Sequence, residues 1–94
     1  MWPIEKILID EMQKTKSDFE EFIASDYFNK LDDNSKEIVK LRLEVVETNI
    51  SIFSVIMKQR GQIGEIDYCE LLESHLVAKD SLIKYQKKIM LKFL

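Results

Sequence analysis

The stretch from Ile38 to Met57 constrains the fold most, because its apolar residues recur at helical spacing without a break. One apolar row alternates four-three-four-three-four and consists of Val39, Leu43, Val46, Ile50, Phe53 and Met57. This heptad spacing predicts a long helix with one side buried against other helices. A second row lies about 100° around the same helix. Its members are Ile38, Leu41, Val45, Ile52 and Ile56.

The rest of the chain also favours helices. Two glycines and one proline in 94 residues are too few for the turns of many short strands, so we predict a single all-α domain. We expect helices at about residues 3–24, 34–60 and 65–93, with a one-turn helix near residues 26–31. Short connections make the two long helices antiparallel, which predicts an elongated three-helix protein.

Residues at the expected helix ends support these boundaries. Pro3 suits the first position of a helix, where a missing N–H costs nothing. Asp32, Asp33 and Asn34 are N-cap candidates for the second helix. Gly61 is its natural C-terminal residue, because glycine enters the left-handed conformation without steric cost.

The apolar arc of the second helix covers more of its circumference than two neighbouring helices can bury. The sequence therefore predicts that copies of the chain assemble into a homo-oligomeric helical bundle. The alternative is a compact monomer with a few exposed aliphatic side chains, which are normal on protein surfaces.

Catalytic and metal-binding patterns are absent from the sequence. His75 and Cys69 stand six residues apart, on helix faces separated by about 120°, so they cannot form a nucleophile–base pair. His75 is interpreted as a core histidine. We expect no catalytic residues, no metal site and no cofactor, and hence a protein that is not an enzyme.

Charge and apolar content indicate the setting. A net charge of -3 makes general nucleic-acid binding an unfavourable interpretation. No run approaches the ~20 apolar residues of a membrane span, and the start lacks the pattern of a signal peptide. A single cysteine fits a reducing compartment. We therefore expect a cytoplasmic protein without a membrane partner.

Polar residues inside the apolar arcs are the candidates for function. Arg42 and Asn49 in the second helix, and His75, Lys79 and Gln86 in the third, occupy positions where the pattern predicts burial. A buried charge needs a partner. In a structural interpretation, Glu11 and Asp18 pair with Arg42 and Lys79, while Asn49 fixes the register of the helices.

In a functional interpretation, some of these groups line a pocket between subunits and bind an anion. Arginine offers a two-pronged donor for phosphate, and a tyrosine ring offers a face for a base. Arg42 and Arg60 also share an angular position, since eighteen residues make five turns. The predicted ligand-binding residues are Arg42, Asn49, Arg60, Lys79 and Tyr85.

Part of the chain, about residues 9–60, has a layout that consists of Asp10-Glu11, Lys14, Phe22-Ile23, Phe28, Leu31, Leu41 to Leu43 and Gln59-Arg60. In these residues the chain resembles short helical proteins encoded by tailed bacteriophages. Such proteins often act against host defence, either by sequestering nucleotide immune signals in oligomeric pockets or by blocking a host protein. The resemblance thus implies a counter-defence setting in the host bacterial cytoplasm more than a mechanism. Our first hypothesis is an oligomer whose interfacial pockets hold an anionic nucleotide signal through Arg42, Arg60 and Lys79.

Two other functions stay open. The protein can be a helical inhibitor whose acidic surface binds a host defence protein such as a nuclease or polymerase. That surface would consist of Glu20, Glu21, Asp26, Asp32 and Asp33. Coiled-coil oligomers also serve as virion or assembly components.

Overall fold

The structure is a computed structural model that describes residues 3–92. It contains three α-helices, α1 (Pro3–Ala24), α2 (Asp33–Arg60) and α3 (Glu65–Lys92), and a 3₁₀ turn at Phe28–Lys30. No strand occurs within this range, and the molecule measures 47 × 20 × 19 Å. The prediction of an elongated, all-α, three-helix protein is confirmed. The predicted extension of α3 to residue 93 lies outside the described residues.

The ends of α2 follow from local chemistry. The backbone N–H of Ser35 donates to Oδ1 of Asp32 at 2.6 Å, so Asp32 is the N-cap and α2 begins at Asp33, one residue before the predicted start. This hydrogen bond, helped by the charge of Lys88, lowers the pKa of Asp32. At the other end Gly61 adopts φ 72°, and its N–H donates to the carbonyl of Met57 at 2.9 Å.

Contacts between helices give their directions. Asn49 contacts Ser74 and Arg60 contacts Asp67, so later residues of α2 meet earlier residues of α3. The two long helices are therefore antiparallel. α1 and α2 are joined through the 3₁₀ turn and also run in opposite directions, which makes the molecule an up-down-up bundle.

The core consists of two apolar clusters at opposite ends of the bundle. The larger cluster surrounds the 3₁₀ turn and contains Phe19, Phe22, Phe28, Leu31, Val39, Val46, Ala78, Leu82, Tyr85 and Ile89. The smaller cluster lies near the connection between α2 and α3 and contains Leu8, Met12, Phe53 and Leu71. Each helix contributes to both clusters, so each helix is held at both ends.

The two apolar rows of α2 have different environments. In the first row Val39, Val46 and Phe53 are buried, as predicted, and the alternate members are half-buried. In the second row Ile38, Leu41 and Ile52 are exposed, because α1 and α3 pack on neighbouring sides of α2 and leave its third side open. The assembly of several copies stays a prediction.

Candidate functional site

The five predicted ligand-binding residues do not meet in one pocket. Lys79 lies 3.5 Å from Glu11, an ion pair between α3 and α1. Arg60 lies 3.3 Å from Asp67, and Asn49 donates from Nδ2 to Oγ of Ser74 at 2.9 Å. These contacts join helices of the same chain, so each of the three side chains has a structural partner.

Tyr85 is part of the larger core cluster and is only 7% exposed. The ammonium groups of Lys84 and Lys88 lie over its ring, at 5.7 and 5.9 Å from the centroid. The ring is therefore covered by protein in this structure. It offers no open face on which a nucleotide base could stack.

Arg42 differs from the other four residues. It has no hydrogen bond or ion pair within residues 3–92, and Asp18, one of its expected partners, pairs with Lys14 at 3.1 Å instead. That contact raises the pKa of Lys14. Arg42 borders a shallow surface groove of about 260 Å³ together with Ile38, Leu41 and Val45. A cation beside an open apolar groove is the arrangement predicted for the anion site.

The predicted burial of the two cations was wrong. Arg42 is half-buried, and the side chain of Lys79 is 41% exposed. Both lie at the edges of helix contacts, where a long side chain can place its stem on apolar atoms and its charge in water. Neither cation is fully desolvated, and Arg42 needs no buried carboxylate.

A polar layer lies between the two core clusters, which Ile50 bridges, and it contains one buried polar residue from each helix. These residues are Thr15 in α1, Asn49 in α2 and His75 in α3, with exposures of 2%, 6% and 2%. Oγ1 of Thr15 lies 3.5 Å from Nε2 of His75. The heptad positions of all three residues can be predicted from the sequence. That the three lie at the same height in the bundle depends on how the helices align, and the periodicity does not determine this alignment.

The electrostatics of this layer keep His75 neutral. Burial lowers its pKa below the ordinary value, the nearby ammonium of Lys79 lowers it further, and the carboxylate of Glu11 partly offsets both effects. Nδ1 of His75 is buried and makes no hydrogen bond within the described residues. The neutral ring is thus the form that this environment favours.

A buried carboxylate that the sequence pattern did not indicate joins the ends of two helices. Glu5, in the first turn of α1, is 2% exposed, and its Oε2 accepts a hydrogen bond from the backbone N–H of Ile63 at 2.7 Å. Ile63 lies just before α3. The hydrogen bond therefore links the start of α1 to the segment that leads into α3.

The five carboxylates of the predicted acidic surface are all exposed. They lie around the end of α1 and the start of α2, where α3 also ends. Lys88 of α3 lies 3.8 Å from Asp32, and Lys92 contributes to the positive potential at this carboxylate. The acidic end of the molecule is thus partly neutralised by the C-terminal lysines.

Within the described residues, no group of three or more His, Cys, Asp or Glu side chains could hold a metal ion. No helix in residues 3–92 combines the length and apolar character needed to cross a membrane. Comparison with known proteins found no matching family model, no similar curated protein and no similar solved structure.

Proposed function

We propose that the protein is a non-enzymatic binding protein that sequesters an anionic, nucleotide-type ligand at Arg42, between assembled copies of the chain. The observation that carries the proposal is the environment of Arg42, which has no partner within residues 3–92 and borders a groove walled by Ile38, Leu41 and Val45. The guanidinium can bind a phosphate through two parallel hydrogen bonds. The apolar wall can contact the less polar part of the ligand.

The biological role in this proposal comes from the resemblance to phage proteins. A protein that holds a nucleotide without converting it lowers the free concentration of that nucleotide. If the nucleotide is an immune signal of the host bacterium, its removal from solution is a counter-defence activity. Arg42 is the centre of the proposed site, while Asn49, Arg60, Lys79 and Tyr85 support the helices around it.

Calorimetric titration with adenine and guanine nucleotides and with cyclic dinucleotides tests the proposal. We expect one of these probes to bind and to be recovered unchanged after incubation. Arg42→Ala should weaken binding by about tenfold or more, the loss expected for a charged hydrogen bond, without loss of helicity. Arg60→Ala is the matched control, because Arg60 already pairs with Asp67.

Three results would contradict the proposal: none of the probes binds, a bound probe is converted, or Arg42→Ala and Arg60→Ala have equal effects. Circular dichroism of both variants separates loss of binding from loss of structure. An unfolded Arg42→Ala variant would assign Arg42 to the architecture of the bundle.

A second candidate function is supported by the exposure of all five carboxylates at the acidic end. In this proposal Glu20, Glu21 and Asp26 contact a basic surface of a host nuclease or polymerase. Glu20→Gln combined with Glu21→Gln should then weaken inhibition of such an enzyme, whereas Arg42→Ala should leave inhibition unchanged. The reverse pattern would support the site at Arg42.

A further inference from the structure

The exposed side of α2 carries a complete heptad pattern of its own, which we call the outer seam and define as Ile38, Leu41, Val45, Thr48, Ile52 and Val55. The spacing alternates three-four-three-four-three. Ile38, Leu41, Ile52 and Val55 are 38%, 49%, 43% and 50% exposed, whereas Val45 is half-buried. Neither α1 nor α3 covers this seam, so the structure contains a coiled-coil face without its partner helix.

The surface along the seam has the shape that a partner helix requires. In a coiled coil each apolar side chain inserts into a hole formed by four residues of the facing helix. One groove, of about 260 Å³, is lined by Ile38, Leu41, Arg42 and Val45. The next, of about 300 Å³, is lined by residues 41, 44, 45, 48 and 49. These grooves are successive holes along one helix, and the seam itself supplies side chains that can fill them.

The residue types of the seam favour a particular pairing. Positions a of the heptad are Ile38, Val45 and Ile52, all of which are β-branched, and the first position d is Leu41. β-branched residues at a and leucine at d favour parallel two-stranded coiled coils. Thr48 and Val55, at the other two d positions, are β-branched and do not add to this preference.

The flanking charges also select a parallel pair. Glu37 precedes the seam at position g, and Arg42 follows Leu41 at position e. In a parallel coiled coil a residue at g meets the residue at e five positions later in the other helix, so Glu37 of one copy meets Arg42 of the second. Neither residue has an ion pair within the described residues. In an antiparallel pair that overlaps along the whole seam, Arg42 would lie opposite the far end of the seam in the second copy and would not meet Glu37.

We propose that the occupant of the outer seam is a second copy of this chain, paired in parallel along α2, with Glu37 and Arg42 forming reciprocal salt bridges. The proposed function requires an interface of this kind. The pairing, however, is inferred from the α2 surface alone and does not depend on nucleotide binding. Arginine carries five N–H donors, so Arg42 can contact the carboxylate of the second copy and still offer donors to a phosphate.

Sedimentation equilibrium of the full chain tests the pairing. We expect a dimer, and we expect Leu41→Glu to raise the dissociation constant by roughly a hundredfold, because it places charges in the apolar interface. Ile66→Glu is the matched control, since Ile66 is 75% exposed on α3 outside the seam. A monomeric wild type, or equal effects of the two substitutions, would overturn the proposal. Helicity of both variants is checked by circular dichroism.

Charge exchange tests the orientation. Glu37→Lys and Arg42→Glu should each weaken the dimer by about tenfold, and the double variant should recover most of the loss. In a Cys69→Ser background, Val55→Cys should form an intermolecular disulfide on mild oxidation, because equal positions face each other only in a parallel pair. Failure of both the charge rescue and the disulfide would exclude the parallel arrangement. A dimer that meets these tests without binding nucleotide would contradict the proposed function alone.

Discussion

His75 is a buried titratable residue whose pKa is lowered by its surroundings. Its ring lies between two apolar clusters, contacts the hydroxyl of Thr15, and stands near the charges of Lys79 and Glu11. Because burial lowers the pKa of His75 in the folded state, the unfolded chain binds a proton at a higher pH than the folded chain does. The free energy of unfolding should therefore decrease as the pH falls.

We expect the free energy of unfolding to decrease as the pH falls below about 6.5, the ordinary histidine pKa, and to keep decreasing until the folded pKa is reached. The slope for this single proton is at most about 1.4 kcal/mol per pH unit. Urea unfolding between pH 7.5 and about 5.5 measures it. His75→Leu should flatten the curve in this window, and an equal slope in that variant would assign the pH dependence to other groups.

Glu5 provides a second test at the residue scale. Glu5→Ala removes a buried acceptor and leaves the N–H of Ile63 without it, which should cost about 1–3 kcal/mol of stability. Glu5→Gln keeps an acceptor oxygen and should lose less. Asp10→Ala is a control on the same helix, because its ion pair with Lys6 is exposed. Thermal unfolding of the three variants checks the order.

For individual residues, burial could be predicted from the sequence in some cases and not in others. The burial of Asn49 and His75 could be predicted, because both lie in heptad positions that face the core. The incomplete burial of Arg42 could not be predicted, since it depends on which side of α2 is left open by α1 and α3. The role of Glu5 depends on the position of Ile63, which is 58 residues away in the chain. Such pairings are set by helix docking and not by local periodicity.

At the scale of elements, the connection between α2 and α3 depends on one backbone conformation. Gly61 has φ 72°, in the left-handed region, whereas Gly64 does not have a positive φ. A Cβ added at either position would meet no atom within 4 Å. The two glycines therefore differ in backbone geometry and not in available space.

Gly61→Ala should reduce stability by roughly 1 kcal/mol, because an L-residue is strained in the left-handed conformation. Gly64→Ala should leave stability unchanged or raise it slightly, because the new side chain fits, the backbone is not strained and alanine lowers the entropy of the unfolded chain. Chemical denaturation of both variants gives the comparison. A larger loss at Gly64 would mean that the start of α3 requires glycine for another reason.

The helices themselves were largely predictable from the sequence. The buried row of α2, the cap residue Asp32 and the terminal Gly61 each have a local physical cause, so the boundaries lie close to those expected. The direction of α3 followed from the shortness of the connection. The composition of the polar layer could not be predicted in this way, because Thr15, Asn49 and His75 lie at the same height only once the three helices have aligned.

At the scale of the whole molecule, the structure is a narrow bundle in which this polar layer lies between two apolar clusters that Ile50 bridges. The clusters on either side are each built from all three helices. The layer lies between them and includes a histidine nitrogen without a hydrogen bond in the described part of the chain. A buried polar group without a partner costs free energy, so the unsatisfied nitrogen of His75 lowers the net stabilisation that this layer provides.

The contact between Glu5 and Ile63 also has a consequence for synthesis of the chain. The first turn of α1 leaves the ribosome long before Ile63 is made. Leu71, which packs in one cluster with Leu8 and Met12, is made later still. The second half of α1, by contrast, packs against Phe28 and Val39, which are made soon after it. During synthesis the apolar residues at the start of α1 therefore stay exposed until their partners in α2 and α3 have emerged, and exposed apolar surface of this kind favours premature association.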